Sequence, residues 1–254
     1  MVMGMKNYIK SIQFYFNKKD LKKYSSTFLN TYDSCFSGEK ICDLFNETFN
    51  ENPALFDVVG NEKKIVEELM INYCHNEAFI KASLSQKLKR HNCVSLFELP
   101  VGDSRADLCS INGNSIAYEI KTIYDSTKRL LKQVNDYLTA FEYVYVVCPK
   151  EKTKSILNIV PLEVGVYEYD NKKRKPSFLM VKEASLSHLI DRNVQLNILR
   201  KSEIPNDFER MNDGEINILF KKALKKRYKT KWKLLCKNMN NIYQMDYQYS
   251  FNNF

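Results

Sequence analysis

Histidine is scarce in this chain. The three present, His75, His91 and His188, are too few and too scattered for a zinc site. Glycine and proline are sparse too, 7 and 6 in 254 residues, which argues against long flexible linkers. The seven cysteines are odd in number, none is paired by CxxC spacing, and most lie in apolar runs, as buried free thiols do. That argues against a disulfide framework and for a reducing, cytoplasmic setting. No apolar run approaches the roughly 20 residues of a membrane span. Met1 to Met5 is not followed by the apolar core, about 7–15 residues long, that a signal peptide needs. Internal repeats and low-complexity segments are also missing.

What is present is a chain 44% hydrophobic, enough for one good core with an appendage, so one or two domains. The formal net charge is +9. A surplus of that size suits a polyanionic partner or an anionic membrane surface. The membrane is the weaker choice, because the most basic segment has no wide apolar face.

Residues 1 to about 60 read as a helical region, with Ile9, Ile12 and Phe16 at helical spacing and Ser37 as N-cap of a second helix. Further helices are expected around Ile65 to Met70 and from Asn76, the latter capped by Asn76. In that helix Ile80, Leu84 and Leu88 share a face, and Glu77 is expected to point inward with them. The period then changes from 3.6 to about 2. Strands are expected over Val94 to Leu99, Arg105 to Ile111 and Ile116 to Ile120, with a turn at Asn112-Gly113-Asn114. A helix capped by Asp125-Ser126-Thr127 should run to about Ala140, followed by the buried strand Tyr143 to Cys148. Beyond Pro149, strands are expected at Leu157 to Val160, Val164 to Tyr169 and Phe178 to Val181, with a basic turn carrying Lys172, Lys173 and Arg174. Helices are expected over about 187 to 202 and over Lys221 to Lys237. The last carries nine Lys or Arg and no Asp or Glu, among them Lys225, Lys226 and Arg227. Trp232 and Tyr228, four apart on it, can either pack on the core or approach nucleic acid.

Polar residues inside the half-buried hairpin carry the chemistry. Polar side chains are costly there unless they have a role. If Asn112 to Asn114 form a three-residue loop, Ile111 pairs with Ser115 and Asp107 faces Glu119 on one sheet face. A two-residue loop would turn the acids apart. Two facing carboxylates can hold a divalent cation, and the Ile120 carbonyl is a further natural ligand. Such an ion neutralises charge on a phosphodiester and activates a water. Lys121, on the face of Glu119, can orient that water or stabilise developing charge. On the next helix Arg129, Gln133 and Tyr137 are spaced by four in one polar stripe. Gln133 can position Lys121, Arg129 can meet a phosphate, and Glu77 can complete the metal shell.

The set Asp107, Glu119-x-Lys121 and Gln133-x-x-x-Tyr137 resembles the PD-(D/E)xK nuclease superfamily. The run GDSRADLCSINGNSIAYEIKTIYDSTKRLLKQVNDYLTAFEYVYVV is similar to the bacterial sce7726 family within it. The resemblance covers roughly residues 70 to 240. It implies an α/β (α+β) fold with a restriction-endonuclease-like core, a central mixed sheet flanked by helices. It leaves the first 60 residues unassigned, so the expected organisation is an added N-terminal helical region at 1–60, the nuclease-like domain at 61–240 with a basic C-terminal helix, and a tail at 241–254. It implies Mg²⁺, with Mn²⁺ as substitute, held by Asp107, Glu119, the Ile120 carbonyl and Glu77. Lys121 would be the catalytic lysine, with Gln133 and Tyr137 as accessory catalytic residues. Glu67, Glu68 and Glu98 compete with Glu77 for the helix carboxylate. Ala106 stands where the superfamily name has proline.

The expected function is therefore a metal-dependent endonuclease acting on DNA, in phage defence, mobile-element biology or DNA repair. Arg105, Arg129, the Lys172 to Arg174 turn and Lys225, Lys226 and Arg227 are the expected nucleic-acid contacts. A non-cleaving nucleic-acid-binding module of the same fold and a protein-interaction or toxin-like effector remain as alternatives. A homodimer and a protein partner through residues 1–60 stay open.

Overall fold

The computed structural model describes residues 17–32, 36–49, 69, 73, 76–89, 93–170 and 176–238. The helix expected at Ile9 to Phe16 and the basic turn with Lys172, Lys173 and Arg174 fall outside these residues, as do Glu67 and Glu68.

Helix α1 (Lys18–Thr31) starts at Asn17, whose side chain accepts from the backbone N–H groups of Lys19 and Asp20. Helix α2 (Gly38–Phe49) starts at Ser37, whose hydroxyl accepts from Lys40 N at 3.2 Å. The two pack through aromatic rings, with Phe28 and Phe45 centroids 4.2 Å apart. Helix α3 (Glu77–Lys89) is capped by Asn76, which accepts from Phe79 N at 3.0 Å.

A six-stranded mixed sheet follows in the order β1-β2-β3-β4-β5-β6, so every strand neighbours the next in sequence. Strands β1 (Val94–Val101), β2 (Ser104–Asn112) and β3 (Asn114–Ile120) form an antiparallel meander. Gly113 sits at the β2–β3 tip with φ 76°, a conformation that glycine adopts freely. Ile111 pairs with Ser115 and Leu108 with Tyr118, the register of the three-residue loop. Helix α4 (Leu130–Leu138) then crosses over to β4 (Tyr143–Pro149), which runs parallel to β3. β4 is central and almost wholly buried, as its unbroken apolar run requires. Strand β5 (Gly165–Tyr169) is parallel to β4, and β6 (Phe178–Lys182) closes the sheet antiparallel.

Helix α7 (Asp213–Asn238) is longer than its basic part alone suggests. Its first half is anchored to the sheet by a buried acid. Glu142 accepts from Lys221 Nζ at 2.6 Å, Asn217 Nδ2 at 2.8 Å and Ser115 N at 2.7 Å. Burial opposes the charge on Glu142, but Lys221 and the other donors outweigh it and hold its pKa below the ordinary range. Trp232 is buried at 4% exposure, so it belongs to the core and not to a nucleic-acid surface. Buried residues of α1, α2, α3, α4, α7 and the sheet form one apolar cluster.

Three segments differ from expectation. Residues 125–129 are not helical. Asp125 Oδ2 instead accepts from Thr122 N at 2.6 Å and Thr122 Oγ1 at 2.7 Å, so its carboxylate closes a turn behind it and caps nothing ahead. Leu157 to Val160 is the end of a short helix α5 (Thr153–Leu157) and a turn, not a strand. There Ile156 and Val160 are both buried, four residues apart, and Val160 N donates to Ile156 O at 3.1 Å. The helix expected over 187–202 shrinks to α6 (Arg192–Ile198), because Asp191 caps it late by accepting from Asn193 N at 2.7 Å.

Candidate metal centre

The registers of the meander line up three carboxylates. Phe97 pairs with Leu108 and Leu99 with Ala106, which sets Glu98 of β1 opposite Asp107 of β2. On its other side the β2–β3 ladder ends at Leu108–Tyr118, and its register carried one step further brings Asp107 toward Glu119 of β3, whose charge acts on it. Glu98 holds φ at 54°, in the left-handed region. For a residue with a Cβ this costs about 1–2 kcal/mol. Strain of this kind persists where surrounding structure over-determines it, most often at functional sites.

Each acid is held by a different partner. Asp107 Oδ2 accepts from the backbone N–H of Ile120 at 2.6 Å. Glu119 is 2% exposed, and both of its oxygens are engaged. Its Oε1 accepts from Lys121 Nζ at 2.6 Å and its Oε2 from the Tyr137 hydroxyl at 2.7 Å. The same hydroxyl lies 2.7 Å from the Arg105 carbonyl. Lys121 Nζ also donates to Gln133 Oε1 at 3.0 Å. Tyr137 and Gln133 thus reach down from α4, four residues apart on one face, and lock the β3 acid and lysine together. Burial, then the nearby Glu119 charge, raises the Tyr137 pKa and keeps the phenol neutral.

A lysine that sequence reasoning missed completes the cluster. Lys81 of α3 is only 1% exposed. Its ammonium donates to Glu77 Oε1 at 2.9 Å and to Glu98, and lies 3.8 Å from Asp107 Oδ1. Burial works against its charge, but Asp107, Glu77 and Glu98 together outweigh burial and hold its pKa above the ordinary lysine value. Asp107 moves the opposite way to most salt-bridged acids. Burial and the charge of Glu119 raise its pKa well above the usual carboxylate range, against the pull of Lys81. A buried carboxylate held up by another carboxylate is a group short of positive charge. With all four acids ionised, Glu77, Glu98, Asp107 and Glu119 against Lys81 and Lys121 leave a formal charge of −2. The cluster is therefore short of positive charge beside Asp107, where the oxygens of Glu77, Glu98 and Asp107 converge within 4.8 Å of one another.

These groups line a cleft of about 850 Å³. Its wall includes Glu77, Arg105, Ile120 and Arg129 among the expected residues, and Lys128 and Lys132 besides. Arg105, Lys128, Arg129 and Lys132 are exposed and outnumber Asp103 and Asp125 on the same wall, with Lys132 paired to Asp103 and Asp136, so the acidic floor lies under a rim that is basic on balance. Glu77 is not turned into the core as expected. Its side chain is 45% exposed, because it lies on the cleft wall beside Lys81. Tyr137 is fully buried beneath the floor.

The basic residues of α7 divide. Lys225 and Lys226 are exposed, with Lys222, Lys229 and Lys233. None of them lines the cleft. Arg227 is committed to the fold. It pairs with Glu203 and reaches the Ile198 carbonyl, with its side chain 10% exposed. Its expected role as a nucleic-acid contact is replaced by that of an anchor between α6 and α7. A helical wheel would have flagged Arg227, since it lies three residues beyond the buried Leu224. Lys81 could also have been found, being four residues after Glu77 on the same helix face.

Comparison with known proteins adds kinship. A family model described as bacteriophage P4 protein cII matches residues 70–251. Protein cII of enterobacteria phage P4 is 34% identical over 100 residues, 39% of this chain and 38% of that protein. The chain thus aligns with well under half the length of that relative. Among solved structures, a Silicibacter pomeroyi protein of unknown function aligns over 63% of this chain and 88% of its own, at 15% identity and a TM-score of 0.39.

Proposed function

The chain belongs to the bacteriophage P4 protein cII family, and we propose that it is a divalent-metal-dependent nuclease acting on DNA, with a PD-(D/E)xK-type site. One observation carries the reading. Asp107 and Glu119 come together at the floor of a basic-rimmed cleft, with Lys121 bonded to Glu119. A solvated sheet face carrying ordinary ion pairs does not explain this, because Glu119 and Lys121 are both buried.

Mg²⁺, or Mn²⁺ in its place, would be held by Asp107, Glu119 and the Ile120 carbonyl, and supplies charge neutralisation and a more acidic water. The chain's own residues do the rest. The Ile120 N–H fixes the Asp107 carboxylate. Tyr137 fixes Glu119 from below and Gln133 fixes Lys121 from the side. Such support keeps a reactive geometry without rearrangement. The Lys121 ammonium, on the cleft wall, faces the charge that builds on the phosphate as the bond to the leaving oxygen breaks. Arg105, Lys128 and Arg129 receive the flanking phosphates. A phage-borne relative favours mobile-element biology among the settings.

The test is cleavage of plasmid and single-stranded DNA with Mg²⁺ or Mn²⁺. The wild type should cut, and Asp107→Ala and Lys121→Ala should not. Equal cutting by all three would mean a contaminant. Salt-sensitive binding with no cutting would replace this reading by a non-cleaving DNA-binding module.

A further inference from the structure

The acids of this cleft form two groups that share Asp107. Asp107 and Glu119 make one. Glu77, Glu98 and Asp107 make the other, each offering an oxygen within 4.8 Å of the others. Phosphoryl-transfer sites with two such groups commonly hold two metal ions about 3.5–4 Å apart, one on each side of a shared carboxylate. Here the second group is already occupied by a charge from the protein itself.

We propose that the Lys81 ammonium permanently fills the second cation position, so that the centre takes one divalent ion and not two. The inference rests on the nuclease reading above and specifies its metal content.

Three observations support it. The first is placement. Lys81 Nζ touches Glu77 and Glu98 and lies 3.8 Å from Asp107 Oδ1, so it addresses the very acids that would ligate a second ion. The second is confinement. Lys81 is among the largest fully buried side chains of the protein, with its stem packed in helix α3 against the sheet. Displacing the ammonium would pull a buried charge off its partners, a change that costs several kcal/mol. An exposed lysine could swing away at little cost, but moving this one means breaking its ion pairs with Glu77 and Glu98. The third is charge. The four acids and two lysines leave a formal −2, which one divalent ion balances and two would overshoot.

The strained backbone at Glu98 fits the same arrangement. Its left-handed φ lies at the register position opposite Asp107, where the Glu98 carboxylate meets Lys81. In two-metal sites the second ion stabilises the leaving oxygen. A fixed ammonium supplies part of that charge without depending on metal concentration.

The experiment measures Mn²⁺ stoichiometry on the full chain by titration calorimetry, with the electron paramagnetic resonance spectrum of the bound ion. The wild type should bind about one Mn²⁺ per chain with the spectrum of an isolated ion, and Lys81→Met should bind about two with an exchange-coupled spectrum. Glu98→Gln is the second variant, and it should leave the stoichiometry at one because Glu98 holds the ammonium and not the metal. Two ions in the wild type would overturn this proposal and leave the nuclease reading standing. So would a single ion in a folded Lys81→Met, or loss of the ion from Glu98→Gln. No binding by the wild type would overturn both.

Discussion

Asp107→Asn separates a metal ligand from an ordinary ion-pair partner. In the metal-free protein the Asp107 carboxylate is disfavoured by burial and by Glu119, and Lys81 at 3.8 Å does not offset them. Asparagine keeps the shape, and its oxygen can still accept from Ile120 N, which now bonds Oδ2 at 2.6 Å. The substitution removes a buried charge that Glu119 opposes and also the largest of the charges that support Lys81, which keeps Glu77 and Glu98, so the net is a smaller change of about 1 kcal/mol in favour of the folded state. For a chain of this size each kcal/mol moves the melting midpoint by about 2–4 °C. Metal-free Asp107→Asn should therefore melt above wild type at pH 8. The sign of the pH dependence follows from the raised pKa. The wild type regains stability as pH falls through the folded pKa of Asp107 toward its unfolded value, so the gap between the two should narrow on acidification. Added Mn²⁺ should reverse the order. An ion at 100 times its Kd stabilises the wild type by about 2.7 kcal/mol and should leave Asp107→Asn unmoved. Thermal unfolding followed by circular dichroism, at pH 5 to 8 with and without Mn²⁺, reads all of this. A metal-free Asp107→Asn that melts below wild type across that range would refute the reasoning, because Asp107 would then be a structural partner of Lys81.

Other perturbations follow from the same contacts. Tyr137→Phe strands Glu119 Oε2, 2.7 Å from the lost hydroxyl, and should cost about 1–3 kcal/mol in denaturant unfolding as well as slowing cleavage. Lys128→Ala with Arg129→Ala should weaken binding to all DNA sequences and lower the log–log salt slope by about 2, read by fluorescence anisotropy. Gly165→Ala would bring a Cβ to 2.3 Å from the Tyr145 ring and 2.7 Å from the backbone nitrogen of Ala184. That overlap should cost about 3 kcal/mol or more, seen as a large fall in melting midpoint with no change at the metal centre.

The legible part of the molecule is the part governed by local chemistry. The period of two and the Asn-Gly-Asn turn narrowed the β2–β3 hairpin to two registers, and the chain takes the one with the three-residue loop, Ile111 against Ser115. Ser37 and Asn76 cap their helices as their positions suggest. What stayed hidden is one competition inside a turn and two contacts distant in sequence. Asp125 looks like a helix cap, but Thr122 behind it competes for its carboxylate and wins. Arg227 looks like a surface cation, but Glu203, 24 residues away, holds it. Lys81 and Glu98 are 17 residues apart, and no local pattern announces that a lysine crosses to a strand acid whose backbone is left-handed. Their meeting is set by how α3 lies on β1, and a linear reading has no access to that packing.

The central claim is that Asp107 and Glu119 hold a divalent ion. Anomalous scattering from a crystal soaked in Mn²⁺ tests it most directly. A single strong peak is expected about 2.1 Å from oxygens of Asp107, Glu119 and the Ile120 main chain, with the Lys81 ammonium still seated between Glu77 and Glu98. A saturated crystal with no peak between Asp107 and Glu119 would contradict that claim.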